Sequence, residues 1–295
     1  MTTRNQVKVV GGIGLSGVIA AGLTGFVALM GLSFWIAGRA HIPTLQGLAG
    51  SRPERPIDIS LNGHLGDYLF DLTTVEITIL FIIMCIWIGW AVLRHNEKNH
   101  KAKYDHGDDK RANVSTAILA GLVFVCVDGV LLYNSYVDLN EVFWNFPTEA
   151  QHPVIVEVMA QQWAWNFRYP GPDGKFNTPD DIVTFNDLHI PVGRPVYARI
   201  QSKDVVHSFY LPNFRIKQDA FPGTTTRMWF QATQPGAFEI ACAQHCGANH
   251  YKMEGAITAD TPEQYAAWEK AQVAEAQRRY DPGDVEAHWG WEWEY

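Results

Sequence analysis

The segment ACAQHCGANHYKM (residues 241–253) sets Cys242, Cys246, His250 and Met253 at steps of four, four and three, in a chain with four cysteines in all. On spacing alone three readings stand. Two cysteines four apart can close a disulfide wherever the compartment is oxidising, but that leaves the His and the Met unexplained. A structural zinc site uses Cys and His and has little use for Met. Thiolates, an imidazole and a weak thioether together form the soft donor set of copper electron transfer. A mononuclear site of that kind needs one Cys. Two thiolates can instead bridge two metals, each of which then requires its own imidazole. SKDVVHSFYLPNF (residues 202–214) supplies the second one, His207, 35 residues before Cys242.

Around these residues, from about 153 to 259, the chain reads as short strands. VIVEVMAQQWAWNFRY, PVYARIQ, TTRMWFQA and GAFEIACA are rich in Val, Ile, Trp, Phe and Tyr, and PGPDG, HIPVGRP and QPGA break them. Strands at this spacing predict a small β-sandwich or barrel. After it, TPEQYAAWEKAQVAEAQRRY predicts a helix with Thr261 as N-cap and Glu263 in the first turn. The acidic, Trp-rich end DPGDVEAHWGWEWEY reads as a docking strap.

The N-terminal part is different in kind. Apolar stretches at about 9–37, 69–93 and 114–136 each reach the roughly 20 residues that cross a ~30 Å hydrocarbon core. The first is longer than a signal-peptide core and reads as a membrane helix. Arg4 and Lys8 precede it, and six Lys/Arg crowd the loop at 94–113, while Arg39, Arg52 and Arg55 are spread over the longer loop between. Cationic loops stay inside. Three crossings then leave everything after residue 136 on the outer face. That outer part carries 12 Lys/Arg against 21 Asp/Glu, whereas residues 1–136 carry 11 against 10. Such an acidic half disfavours nucleic acid and suits a basic partner.

With these residues in view the chain resembles subunit II of haem–copper cytochrome c oxidases. The family motif Cys-x-x-x-Cys-x-x-x-His-x-x-Met, preceded by Asp-x-x-His-Ser, is complete here in Asp204, His207, Ser208, Cys242, Cys246, His250 and Met253. QQWAWNF (residues 161–167) and IKQDAFPG (residues 216–223) extend the likeness over about residues 69–280. The resemblance implies membrane helices followed by an outer, cupredoxin-like Greek-key β-barrel or sandwich and a C-terminal helix. The expected division is an extra N-terminal helix at 1–40, an outer loop at 41–68, a helix pair at 69–136, the copper domain at 137–260, and a helix and tail at 261–295.

The same resemblance implies a binuclear copper centre (CuA). Cys242 and Cys246 would bridge both coppers, His207 and Met253 would serve one, and His250 and the backbone carbonyl of Gln244 the other. Trp163 matches the family's electron-entry position, with Trp165 as a core residue on the same strand face; Ala164 replaces a frequent Tyr between them. His245 matches no ligand and is expected at the surface. The implied partners are subunit I, bearing haem, subunit III, a cytochrome c as electron donor and the lipid bilayer, with additional or supercomplex subunits at the first helix and the tail. The implied location is a bacterial inner membrane, with the N-terminus cytoplasmic and the copper domain periplasmic.

Three departures matter. The Glu that reaches a Mg²⁺ ion at the subunit I boundary is Gln244 here, a neutral amide where a hard cation prefers carboxylate. Ser115 stands near the place of the family's proton-channel Glu. Glu76 and Asp128 lie inside apolar helices at a similar depth, where carboxylates are costly enough to be functional suspects. Cys85 and Cys126 are expected as small buried residues, and Asp173, Asp180 and Asp181 as members of a solvated hairpin loop. A quinol-oxidase subunit II without copper and a membrane-anchored copper-binding cupredoxin are the rival readings.

Overall fold

In the computed structural model, residues 56–94, 106–281 and 283 are described. The expected first membrane helix, most of the outer loop and the Trp-rich end lie outside them. The chain forms two compact units, one from the helices (Tyr68–Val137) and one from Asp138 onward together with the segment ending at Asp67.

Among the described residues there are two long helices, α1 (Gly63–Arg94) and α2 (Lys110–Phe143), both long and apolar enough to cross a membrane. Their 32 and 34 residues make roughly 48–51 Å of helix. They overrun the expected 69–93 and 114–136 at both ends, because backbone hydrogen bonding carries a helix past the hydrocarbon into polar flanks. Asp109 caps α2 by accepting from the Arg111 N–H at 2.9 Å, and Arg94 sits in the last turn of α1, where a cation suits the dipole. Thr73, Thr74 and Thr78 donate to carbonyls four residues back, so none presents a bare hydroxyl to an apolar surrounding. The α2 helix passes through π turns at Phe124–Asp128 and Leu139–Phe143. Cys85 is exposed and Cys126 half-buried, so neither fills the buried role expected of it.

The other unit is a sandwich of two five-stranded sheets. One sheet runs in the order β3 (Ile182–Phe185), β2 (Ala164–Tyr169), β1 (Val154–Gln161), β5 (Val196–Ser202), β8 (Thr226–Phe230). The other runs β4 (Asp187–Pro191), β10 (Glu254–Asp260), β9 (Gly236–Cys242), β6 (His207–Leu211), β7 (Ile216–Ala220). The β1–β5 and β4–β10 pairs are parallel and the rest antiparallel. Alternating strand residues fill one core in which Val156, Val158, Trp165 and Phe167 of the first sheet join Leu188, Phe209, Ile240 and Ile257 of the second. Trp165 is fully buried, edge-on to Phe209 at 5.2 Å and to His207 at 6.2 Å.

Two attachments frame this sandwich. Helix α3 (Pro262–Arg279) starts from a capping box between Thr261 and Gln264. Its Trp268 stacks on His189 at 4.6 Å, and His189 in turn bonds Asp260 at 2.7 Å. The stretch just before α1, expected as part of a loose outer loop, is instead stitched to the sandwich. Ile59 is buried in the core, its N–H donates to Asn213, its carbonyl accepts from Thr233, and Arg215 pairs with Asp67 at 2.9 Å.

One ion pair is hidden inside the first sheet. Glu157 of β1 and Arg168 of β2 are cross-strand partners, both 0% exposed, joined through Arg168 Nε at 2.7 Å and through a terminal guanidinium nitrogen. The guanidinium also donates to Asn177 at 2.7 Å and lies against Phe176, which ties down the 170–181 loop. Within that loop Asp173, Asp180 and Asp181 accept from its own N–H and hydroxyl groups, but Asp181 is buried rather than solvated, 3.9 Å from the Arg168 guanidinium. Breaking a buried pair strands a charge, at about 3–5 kcal/mol. Arg168→Met should therefore markedly lower the thermal unfolding midpoint of the chain, and Glu157→Leu combined with it should restore most of the loss. An unchanged midpoint in the single variant would show that the pair carries no stability.

Candidate metal centre

The sandwich brings the Cys/His/Met residues together through three adjacent strands. His207 is the first residue of β6, Cys242 the last of β9, and Met253 directly precedes β10. Because β9 and β10 form an antiparallel hairpin with Glu254 opposite Ala241, the loop between them must fold back over its own base. Cys242 N–H donates to the Met253 carbonyl at 3.2 Å and closes that base, and Ala243 N–H bonds the Ser208 carbonyl of the neighbouring strand at 3.0 Å. A short 3-10 turn, His250–Lys252, aims His250 back at the sulfurs.

The donor atoms converge. Cys242 Sγ and Cys246 Sγ are 3.8 Å apart and both thiols are free, a separation well beyond the roughly 2.05 Å of a disulfide. His250 Nδ1 lies 3.6 Å from Cys246 Sγ, and His207 Nδ1 lies 4.0 Å from Cys242 Sγ. Met253 Sδ is 3.1 Å from His207 Nδ1 and 3.7 Å from Cys246 Sγ, and the Gln244 carbonyl is 3.2 Å from Cys242 Sγ. Among the described residues, His207, Cys242 and Cys246 form the group whose ligand atoms lie close enough to one another to share a metal ion. Two thiol sulfurs, two imidazole nitrogens and a thioether are soft and borderline donors that fit copper.

A second layer holds this set in place. His207 is fully buried, and its other ring nitrogen meets the Asp204 carboxylate at 2.9 Å, the usual way a ligand imidazole is oriented. Asp204 also accepts from Val205 N–H at 2.6 Å and Gln162 N–H at 2.7 Å. The Gln162 side-chain amide donates to the Cys246 carbonyl at 2.7 Å, so one residue bonds both ligand-bearing loops. Gln162 escaped the sequence reading, since a polar residue in a turn carries no signal of a bond 84 residues away.

Trp163 lies beside Gln162 in the tight turn between β1 and β2, not on a strand. It therefore does not share a strand face with Trp165, which points into the core. The indole is half-buried and packs on Gly247, one residue past Cys246. A Cβ there would meet Trp163 Cζ2 at 3.3 Å and the Gln162 amide at 2.9 Å, and the positive φ of 120° also favours glycine. His245 is exposed, as expected, with its ring edge-on to His250 at 5.6 Å. Tyr251, 76% exposed, stands on the same loop.

The two thiols differ sharply. Burial works against a Cys242 thiolate, but hydrogen bonding with His207, the backbone at Ser208 and Gln244, and His250 outweighs it and brings the thiol down to about 6. Burial and the neighbouring Cys242 push the Cys246 thiol up to about 12. His207 is raised: burial opposes its charged form, and Cys242 and Asp204 more than compensate. In the metal-free chain at pH 7, Cys242 should be mostly thiolate and Cys246 neutral. Iodoacetamide mapping should then find Cys242 alkylated well before Cys246; equal rates would contradict this electrostatic asymmetry.

The family model "Cytochrome C oxidase subunit II, periplasmic domain" matches residues 175–259, a span that holds His207, both loop cysteines, His250 and Met253. The chain is 31% identical over 215 residues to the alternative cytochrome c oxidase subunit 2 of Bradyrhizobium diazoefficiens, covering 64% of this chain and 73% of that protein. It is 38% identical over 121 residues to cytochrome c oxidase subunit 2 of Thermostichus vulcanus, covering 41% of this chain and 34% of that one. Among solved structures, the periplasmic domain of subunit II of cytochrome oxidase (CoxB) of Bradyrhizobium japonicum overlaps 41% of this chain and 94% of its own, at 25% identity and a TM-score of 0.37. The chain belongs to the cytochrome c oxidase subunit II family.

Proposed function

We propose that this chain is the electron-entry subunit of a respiratory haem–copper oxidase, holding a binuclear copper centre on its β-sandwich. The observation that carries the reading is the pair of free sulfurs 3.8 Å apart with an imidazole nitrogen near each. In this reading the thiolates of Cys242 and Cys246 would be shared by the copper pair, with His207 and Met253 as further ligands on one side and His250 and the Gln244 carbonyl on the other. Copper supplies a one-electron couple when bound; the protein supplies everything else. The β9–β10 hairpin fixes the sulfur spacing. Asp204 orients the His207 ring, and Gln162 holds the Cys246 backbone, so the ligands need not rearrange when charge changes.

Trp163 is the electron entrance. Its indole contacts Gly247 beside a bridging Cys, and its half-buried position leaves one side open to a donor. The net acidity of the sequence after residue 136 suits a basic cytochrome c. Electrons would pass on to haem in subunit I, where O₂ is reduced to water, with subunit III in the same complex. In this reading the two described helices anchor the subunit in the bilayer; the Lys/Arg-rich loop at 94–113 supports a cytoplasmic side for that end, with residues 137–260, a Greek-key cupredoxin domain, in the periplasm of a bacterial inner membrane. Gln244 brings no charge to a Mg²⁺ site, so none is assigned. A copper-free quinol-oxidase subunit has no need of this complete donor set.

The test is electron entry in the assembled oxidase. Trp163→Phe should leave copper content unchanged while slowing oxidation of a reduced cytochrome c at least about tenfold, equivalent to ~1.4 kcal/mol in the barrier. Stopped-flow mixing reads that rate, and a rate equal to the parent's would remove Trp163 from the path.

A further inference from the structure

Among the described residues of the two long helices, three side chains are buried: Leu72, Glu76 and Val127. Two are what a dry helix seam calls for. The third is a carboxyl. Leu72 and Glu76 are four residues apart and so share one face of α1, while Val127 adjoins Asp128 on α2.

Glu76 is 2% exposed, and neither of its oxygens has a hydrogen-bond partner. The three threonines of the same helix show what a merely accommodated polar group does there, since each is bonded to a carbonyl four residues back. Glu76 is not settled in that way. Nor does the interior of either described helix supply a cation. Residues 65–93 and 112–143 contain no Lys, Arg or His, and Arg94 stands 18 residues on from Glu76, roughly 27 Å along the helix. Among the described residues, the charged group within electrostatic reach of Glu76 is a second acid, Asp128, itself exposed on α2, and the phenol of Tyr68 lies within reach as well.

The path of α2 supports a purpose for this meeting. Asp128 ends the π turn Phe124–Asp128, where the Gly129 N–H reaches back to the Phe124 carbonyl. A π turn rotates the downstream residues relative to an unbroken α-helix, costs hydrogen-bond quality, and recurs at functional sites. An unpaired carboxylate in apolar surroundings costs several kcal/mol, and a neighbouring carboxylate adds repulsion. A proton on Glu76 relieves both at once, because it removes the buried charge and with it the repulsion.

We propose that Glu76 is a proton-binding site inside the membrane segment, its buried carboxyl carrying a proton with Asp128 as the nearby acid. The proton adds to a carboxylate oxygen from the aqueous phase and leaves the same way, with no other bond changed. The proposal rests on the helices lying in a bilayer and is independent of the copper assignment, so either can fail alone.

The probe is dicyclohexylcarbodiimide, which modifies protonated carboxyls in apolar surroundings, applied to native membranes containing the whole oxidase and followed by peptide mass spectrometry. The expected result is one adduct per chain, on Glu76, declining as pH rises. Glu76→Gln should abolish adduct formation at position 76, and Asp128→Asn should reduce labelling of Glu76 at pH 8 by about tenfold, because the second negative charge is gone. No adduct on Glu76 at pH 6 in the parent overturns the proposal, as does Glu76 labelling that Asp128→Asn leaves unchanged. Should the Asp128 variant fail to assemble, infrared spectra of the parent decide: a protonated carboxyl C=O band that shifts in D₂O supports the site, and its absence overturns it.

Discussion

The β9–β10 hairpin is the constraint on which the site depends. Antiparallel pairing up to Ala241 and Glu254 makes the eleven-residue loop at 243–253 return to its starting point, so Cys242 and Met253 become neighbours whatever lies between. Strand β6, beside β9, then delivers His207 to the same spot, with Phe209 paired to Cys242. The core beneath is packed by Trp165 against Phe209 and His207. A cavity opened there would loosen a ligand as well as a hydrophobic contact. Stability and ligand geometry are thus one problem at this end of the sandwich.

Around that core, polar groups are spent on position. Asp204 accepts from His207, Val205 and Gln162, and these hydrogen bonds outweigh its partial burial and hold its carboxyl below the usual range. An anionic Asp204 fixes which ring nitrogen of His207 faces the sulfurs. Gln162 ties the Trp163 turn to both Asp204 and the Cys246 carbonyl. The electron entrance and the metal loop are therefore braced against each other by side-chain and backbone bonds only a few ångströms long.

Much of this was legible in the residues because the chemistry uses rare types at fixed spacing: the Cys, His and Met of residues 242–253, and His207 behind Asp204, converge as read. The strands were legible too, through β-branched and aromatic runs. What stayed hidden depends on long-range pairing. The run VIVEVMAQQWAWNFRY looks continuous, yet it is a hairpin, and the turn at Gln162 and Trp163 separates the two tryptophans that continuity had put on one face. The Glu157–Arg168 pair reads locally as two surface charges and is buried only because β1 and β2 place them opposite each other. Residues 56–67 show no strand or helix run in their sequence, and the strap they form is tied by backbone bonds to Asn213, Gln231 and Thr233 that no local pattern announces. In the helices, apolar length was plain, while the π turn beneath Asp128 left no mark in the sequence.

The central claim is that Cys242 and Cys246 bridge two metals. It is tested most directly by counting copper in the purified, copper-loaded oxidase and recording the electron paramagnetic resonance of the oxidised subunit II centre, set apart from the copper and haem of subunit I. The account predicts two coppers on this subunit sharing one unpaired electron. A single copper with a four-line hyperfine pattern would contradict it, since the two sulfurs would then not be shared.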